Sequence, residues 1–175
     1  MSVPSQPFSM FDHTILDQET EFNIKLPNRS LCYYGSSSYC YSGVSHQPKP
    51  IPPNSYINTI LDQLKVTLPD FQYNSILVTK YRNGSDFIGF HADNEPEIAE
   101  NSDIVTISLG QSRTIKFKCP LASKTYPDHE LKVNHGDVFI MSQNSQKFFV
   151  HSVLILILFS NVMMSTLLFQ SLIRS

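Results

Sequence analysis

The run Gln47-Pro48-Lys49-Pro50-Ile51-Pro52-Pro53 constrains this chain more than any other feature. Its prolines remove amide donors and fix φ, so the run is an extended connector. It delivers the chain into a clear helical period. Asn54 or Ser55 can cap that helix, and Ile57, Ile60, Leu61 and Leu64 recur at i, i+3, i+4 and i+7 until Pro69 ends it. Everything after it reads as short strands divided by Gly-, Pro- and Asn-bearing turns. The strand expectations are Ser75 to Tyr81 (leading into an Asn83-Gly84 turn), Asp103 to Leu109, Thr114 to Lys118, Asp137 to Met141 and Phe148 to Phe159. One early helix followed by many short strands predicts a mostly β chain with α (α+β), a double-sheet jelly roll packed on a helix. Residues up to about Pro27 are a weakly specified lead-in, with Phe8, Phe11, Ile15 and Leu16 as apolar anchors.

With 175 residues, 41% of them hydrophobic, the chain suffices for one domain with a sizeable core. A formal net charge of −2 excludes a global basic footprint for nucleic acid. It leaves room for a local groove built from Arg29, Arg82, Arg113, Lys116 and Lys118. Cys32, Cys40 and Cys119 form no CxxC and no even framework, which predicts a reduced intracellular setting, nuclear or cytoplasmic. The N-terminus lacks the charged start and apolar core of a signal peptide.

His91-Ala92-Asp93 is the densest chemical signal. On an extended segment, side chains two apart turn to the same side. His151, from a distant strand, would complete a 2-His-1-carboxylate face that leaves the opposite coordination positions open. The plainer alternative is a surface His–Asp pair beside an unrelated core histidine. His13, His46, His129 and His135 lack such context and read as solvated loop residues.

The surrounding residues, Tyr81-Arg82-Asn83-Gly84-Ser85-Asp86-Phe87-Ile88-Gly89-Phe90-His91-Ala92-Asp93-Asn94-Glu95, resemble the AlkB family of iron(II)/2-oxoglutarate-dependent dioxygenases. Further blocks extend the resemblance in order. Upstream are Arg29…Tyr34-Gly35 and Tyr39-Cys40-Tyr41-Ser42-Gly43; downstream are Ser108-Leu109-Gly110-Gln111-Ser112-Arg113, Gly136-Asp137-Val138-Phe139-Ile140-Met141 and Gln146…His151-Ser152-Val153. The likeness is to the eukaryotic nucleic-acid demethylases and to related domains of viruses and mobile elements. It implies a double-stranded β-helix, with Fe(II) held by His91, Asp93 and His151 and with 2-oxoglutarate and O2 as cosubstrates. It implies that the Tyr81 hydroxyl bonds 2-oxoglutarate, and that Thr79, where the family often has asparagine, donates with shorter reach. It aligns Tyr39 and Tyr41 with the substrate-contacting segment, with Tyr41 stacking an extruded base against His91. Glu95 would bond an exocyclic amine, and Arg113 a flipped nucleotide or phosphate. The plainer alternatives are two core tyrosines, an exposed acidic turn residue and a solvated strand charge. The implied reaction is oxidative demethylation of N-alkylated bases in DNA or RNA, single-stranded or with a flipped base, by a monomer free of membrane.

The resemblance covers 29–153, preceded by a lead-in (1–28) and followed by an apolar segment (154–175) that departs from the family. Where the family continues with an Arg-x-Ser/Asn-x-Thr-Phe-Arg strand, Met163 and Phe169 fall about where the two arginines are expected, and the only arginine nearby, Arg174, lies too near the terminus to replace them. Three readings of this tail compete: an out-of-frame end, a diverged final strand pair, and a membrane anchor over 154–173, in that order. Two alternatives to an active demethylase follow. One is a degenerate homologue that binds metal or single-stranded nucleic acid without turnover; the other is a dioxygenase acting on protein side chains.

Overall fold

The computed structural model describes residues 7–41, 43–99, 102–120, 126–155 and 164–170. The connector leads, as expected, into a helix, here α2 (Tyr56–Thr67), whose N-terminus is closed by Ser55: its hydroxyl accepts from the Ile57 amide at 3.3 Å. Ile57, Ile60, Leu61 and Leu64 are its buried face. The lead-in is also ordered. It carries a short helix, α1 (His13–Glu19), capped by Asp12, and buries Phe8, Phe11 and Leu16. The Asp12 amide donates to the Tyr56 hydroxyl at 2.9 Å, and Lys80 pairs with Asp17 at 3.3 Å, tying the lead-in to helix and sheet.

The remaining elements are strands. In chain order they are β1 (Ile24–Leu26), β2 (Arg29–Gly35), β3 (Tyr39–Tyr41), β4 (Val44–His46), β5 (Ser75–Tyr81), β6 (Ile88–His91), β7 (Ile104–Gly110), β8 (Arg113–Lys118), β9 (His129–Val133), β10 (Val138–Met141), β11 (Val150–Val153) and β12 (Met164–Gln170), with a one-turn-and-a-half helix α3 (Gln143–Phe148) before β11. They build a six-stranded sheet in the order β1-β2-β5-β12-β7-β10, a four-stranded sheet in the order β6-β11-β8-β9, and a β3-β4 hairpin. All pairings are antiparallel and neither large sheet closes on itself.

Period-two alternation sorts the major sheet's side chains between two cores. Cys32, Tyr34, Ile76, Val78, Val105, Ile107 and Leu109 face the helices and pack on Phe8, Leu16, Ile57 and Ile60. Leu31, Tyr33, Leu77, Tyr81 and Ile104 point the other way, toward Ile88, Ile115, Val133 and Val153 of the minor sheet. Because both faces of β2, β5 and β7 are covered, these strands are buried along almost their whole length.

The C-terminal part differs from the expectations. Of the predicted strand from Phe148 to Phe159, the described residues form a strand over Val150–Val153, and Phe148 belongs to α3; residues 156–160 lie outside the described ones. β9 was not foreseen. Residues 164–170 form a central strand of the major sheet, between β5 and β7. Among the described residues no helix is long and apolar enough to cross a membrane.

Candidate metal centre

The β5–β6 turn sets the entry to the site. Asp86, buried, takes a two-pronged grip from Arg82 (Nε to Oδ2 2.8 Å, Nη2 to Oδ1 3.0 Å), while Asn83 Oδ1 accepts from the Ser85 and Asp86 amides at 3.0 and 3.2 Å. β6 then runs antiparallel to β11. Val153 faces Ile88 and His151 faces His91, so Gly89 and Phe90 together oppose Ser152 alone. That is a β-bulge, and it lets Ile88 and His91, three residues apart, both turn inward.

His91 and His151 therefore meet as cross-strand partners, ring centroids 4.3 Å apart. His91 Nδ1 lies 2.9 Å from the Gly89 carbonyl oxygen. A carbonyl only accepts, so Nδ1 carries a proton, which leaves Nε2 as the nitrogen that would ligate a metal. Asp93 lies just beyond β6. His91 Nε2 approaches its Oδ1 at 3.4 Å and His151 Nε2 its Oδ2 at 3.4 Å. The donor atoms of all three lie within 4.8 Å of one another. Asp93 is held by its backbone: its amide donates to Oε1 of the buried Gln146 at 3.0 Å, and Gln146 Nε2 reaches Met141 Sδ at 3.4 Å. Burial opposes ionisation of Asp93, but the approach of His151 and then His91 outweighs it and holds the carboxyl far below the usual range.

This donor set fits a divalent ion. Asp93 Oδ2 is buried with no hydrogen-bond partner, since the His151 approach is misaligned for one, and a buried carboxylate oxygen without a partner is costly. Two imidazoles and one carboxylate on a single side make the facial arrangement suited to non-haem Fe(II).

A cavity of about 50 Å3 adjoins the triad, lined by Tyr41, Leu77, Thr79, Tyr81, Ile88 and Met141 among others. It has room for an ion and a few waters at ~10–15 Å3 each. A larger apolar hollow of about 370 Å3, between the end of α2 and β9–β10, contains none of the three donors. Tyr81 is buried at the end of β5, and burial pushes its hydroxyl well above the usual range, so it is a proton donor. Thr79, also buried, lies two residues before it.

Tyr41 lines the cavity, and burial, reinforced by Asp93, raises its hydroxyl too. Tyr39 stacks behind Tyr41 at 6.0 Å and does not line the cavity. Glu95 is half-buried; burial, with the Asp93 charge beside it, pushes it above the usual carboxylate range. Arg113 is 1% exposed, neither solvated nor directed at the cavity. It donates to the backbone carbonyls of Asn83 (3.4 Å), Asp86 and Leu154 (2.7 Å), and its guanidinium lies 5.2 Å from the Tyr81 ring centroid. His46 is buried against Tyr39 and Tyr33, and His135 is fixed by the Gly110 amide and the Ser9 carbonyl, so neither is the solvated residue that was expected.

β12 pairs in register with both β5 and β7. Met164, Thr166 and Leu168 stand opposite Tyr81, Thr79 and Leu77, the cavity-side set of β5. Phe169 stands opposite Ile76 and Val105, both of the helix-side core, and Met163 lies outside the described residues.

A His–Asp–His face between two antiparallel sheets, with Asp93 and His151 buried, makes a candidate metal centre of the kind a jelly-roll iron oxygenase carries. The chain belongs to the 2OG-Fe(II) oxygenase superfamily, whose sequence profile matches residues 6–156; Fe(II), 2-oxoglutarate and O2 are what that family uses. Among the relatives it resembles is the human DNA oxidative demethylase ALKBH2, 30% identical over 132 residues, covering 71% of this chain and 49% of that protein. Human alkB homolog 3, an alpha-ketoglutarate-dependent dioxygenase, is 26% identical over 134 residues (71% and 45%). The RNA replication protein of Grapevine virus A (isolate Is 151) is 29% identical over 140 residues, 79% of this chain and 8% of that protein. The chain thus spans about half the length of the curated cellular relatives it matches. The solved structure of OsALKBH1 shares its fold, with a TM-score of 0.61 at 14% identity over 93% of this chain and 95% of that one.

Proposed function

We propose that this chain carries out Fe(II)- and 2-oxoglutarate-dependent oxidative demethylation of N-alkylated bases in DNA or RNA. The observation that carries the proposal is the buried Asp93 carboxylate, whose Oδ1 faces His91 Nε2 and whose Oδ2, with no hydrogen bond, faces His151 Nε2, beside a cavity lined by tyrosines. The names of the ALKBH2 and alkB homolog 3 relatives supply the substrate class. His91, Asp93 and His151 would hold the iron, leaving its other positions for 2-oxoglutarate and O2. When bound, the iron supplies the oxidising power that inserts oxygen into an N-methyl C–H bond as 2-oxoglutarate becomes succinate and CO2.

The chain's own residues bind and orient. Tyr81, protonated, donates toward the cosubstrate, with Thr79 beside it. Arg113 spends its donors on backbone carbonyls and so sets the position of Tyr81 rather than contacting substrate. Tyr41, backed by Tyr39, offers a ring to an extruded base opposite His91, and Glu95, with its raised affinity for a proton, addresses an exocyclic amine. The cavity is too small for cosubstrate and base together, so binding must displace lining side chains.

One observation favours a second reading. No cation stands at the β12 positions opposite Tyr81, Thr79 and Leu77, and removing one partner of a buried ion pair costs ~3–5 kcal/mol. On that reading the chain binds metal or single-stranded nucleic acid without turnover. The deciding experiment incubates the full chain with Fe(II), 2-oxoglutarate, ascorbate and an N-methylated oligonucleotide. Formaldehyde and succinate in equal amounts support demethylation; neither product at millimolar 2-oxoglutarate sinks it.

A further inference from the structure

The wall of the major sheet beside the metal centre carries hydroxyls that nothing in the chain satisfies. Period-two alternation on β7 sends Val105, Ile107 and Leu109 to the helices, so Thr106 and Ser108 face the other way. Both are buried, Thr106 to 3% and Ser108 to 0% exposure, and neither Thr106 Oγ1 nor Ser108 Oγ has a hydrogen-bond partner. Thr106 lines the cavity next to the triad, as does Thr79. The three are close in register across β12: Thr79 and Ser108 both oppose Thr166, and Thr106 opposes Leu168, two residues on. A buried hydroxyl without a partner is costly, so two on one wall point to a ligand that supplies the missing bonds.

Charge is the second observation. Among the described residues, no lysine or arginine lines this cavity. Arg29 and Arg113 face the rings of Tyr41 and Tyr81, at 5.9 and 5.2 Å from the centroids, and neither reaches the lining. The sequence of β12 contributes no cation either. 2-Oxoglutarate would bring its far carboxylate, the one remote from the metal, onto this wall. Taking that charge out of water without a countercharge is costly. A neutral carbonyl carries no such penalty, and it accepts the protons that hydroxyls offer.

We infer that the cavity selects 2-oxo acids whose far end is an uncharged hydrogen-bond acceptor, an ester or amide carbonyl, with Thr106, Ser108 and Thr79 as its donors. This rests on the proposed function, in which His91, Asp93 and His151 hold the iron, and departs from it only in the tail of the cosubstrate.

The test is anaerobic isothermal titration calorimetry of the full chain loaded with Fe(II). The ligands are 2-oxoglutarate, its distal methyl ester, and 2-oxopentanoate, whose tail is apolar. The ester is expected to bind at least as tightly as 2-oxoglutarate and about fivefold more tightly than 2-oxopentanoate, the worth of one neutral hydrogen bond. Thr106→Val keeps the shape and removes the hydroxyl, so it is expected to erase the advantage of the ester over 2-oxopentanoate. Thr106→Ser is expected to retain it, with the Fe(II) affinity of both variants unchanged as the check on folding. Binding of 2-oxoglutarate about threefold or more tighter than the ester overturns the inference, as does an ester advantage that survives Thr106→Val. Either result leaves the proposed function standing. If Fe(II) binds and none of the three acids does, the proposed function falls with the inference.

Discussion

Replacing Arg113 with methionine separates a structural arginine from a substrate-contacting one. The side chain is buried, and its donors hold the Asp86 and Leu154 carbonyls tightly and the Asn83 carbonyl at 3.4 Å. Setting aside that long bond, two charge-assisted hydrogen bonds contribute ~1.5–3 kcal/mol each, about 3–6 kcal/mol together. Relief of the buried charge offsets part of this, since burial already disfavours the guanidinium ion. A net loss of about 2–4 kcal/mol remains, and at ~2–4 °C per kcal/mol for a chain of this size Tm falls by roughly 5–15 °C. Thermal unfolding followed by circular dichroism reads this directly. Arg113→Lys recovers only a small part, because an ammonium cannot span carbonyls arranged for a planar fork. Melting of Arg113→Met within about a degree of wild type would refute the reasoning and return Arg113 to the substrate.

Two further outcomes follow from the same geometry. Burial raises the Asp86 pKa, but the Arg82 bonds more than compensate, so the folded value lies below the ordinary 3.8. Its stabilisation is therefore present above the unfolded value and lost as pH falls through the folded one, and the Tm gap between wild type and Asp86→Asn closes below pH ~4; a gap independent of pH contradicts this. Gly136 has φ +83°, and a Cβ there would lie 2.5 Å from the Ser9 amide nitrogen. Gly136→Ala is expected to cost about 2 kcal/mol or more and to expose the segment around Phe8 to limited proteolysis, and unchanged cleavage would contradict it.

Those elements whose cause is local were legible in the sequence. α2 follows from apolar spacing and the Ser55 cap, and β5 from its β-rich run. The three site residues converge where their spacing suggested, but for a partly different reason. His91 faces inward because Gly89 and Phe90 bulge against Ser152, and a bulge is a property of the paired strands rather than of one segment. Gln146, which fixes the Asp93 amide, was quoted only as part of a motif; its role depends on α3, too short to show a helical period. Arg113 gave no sign of burial, because the carbonyls that satisfy it come from Asn83, Asp86 and Leu154, far away in the chain. The place of β12 between β5 and β7 was hidden for a comparable reason. Pairing with β5 and β7 sets the register, and a one-residue slip exchanges the two faces.

The claim on which the rest depends is that His91, Asp93 and His151 hold one divalent ion. Anaerobic Fe(II) titration of the full chain, with Co(II) as an optically visible substitute, tests it most directly. One ion is expected to bind per chain. Asp93→Ala and His151→Ala are each expected to weaken it by more than the ~10–100-fold typical of losing only an outer hydrogen-bond partner, with the folded state verified by circular dichroism. Wild-type affinity in folded Asp93→Ala would contradict the account.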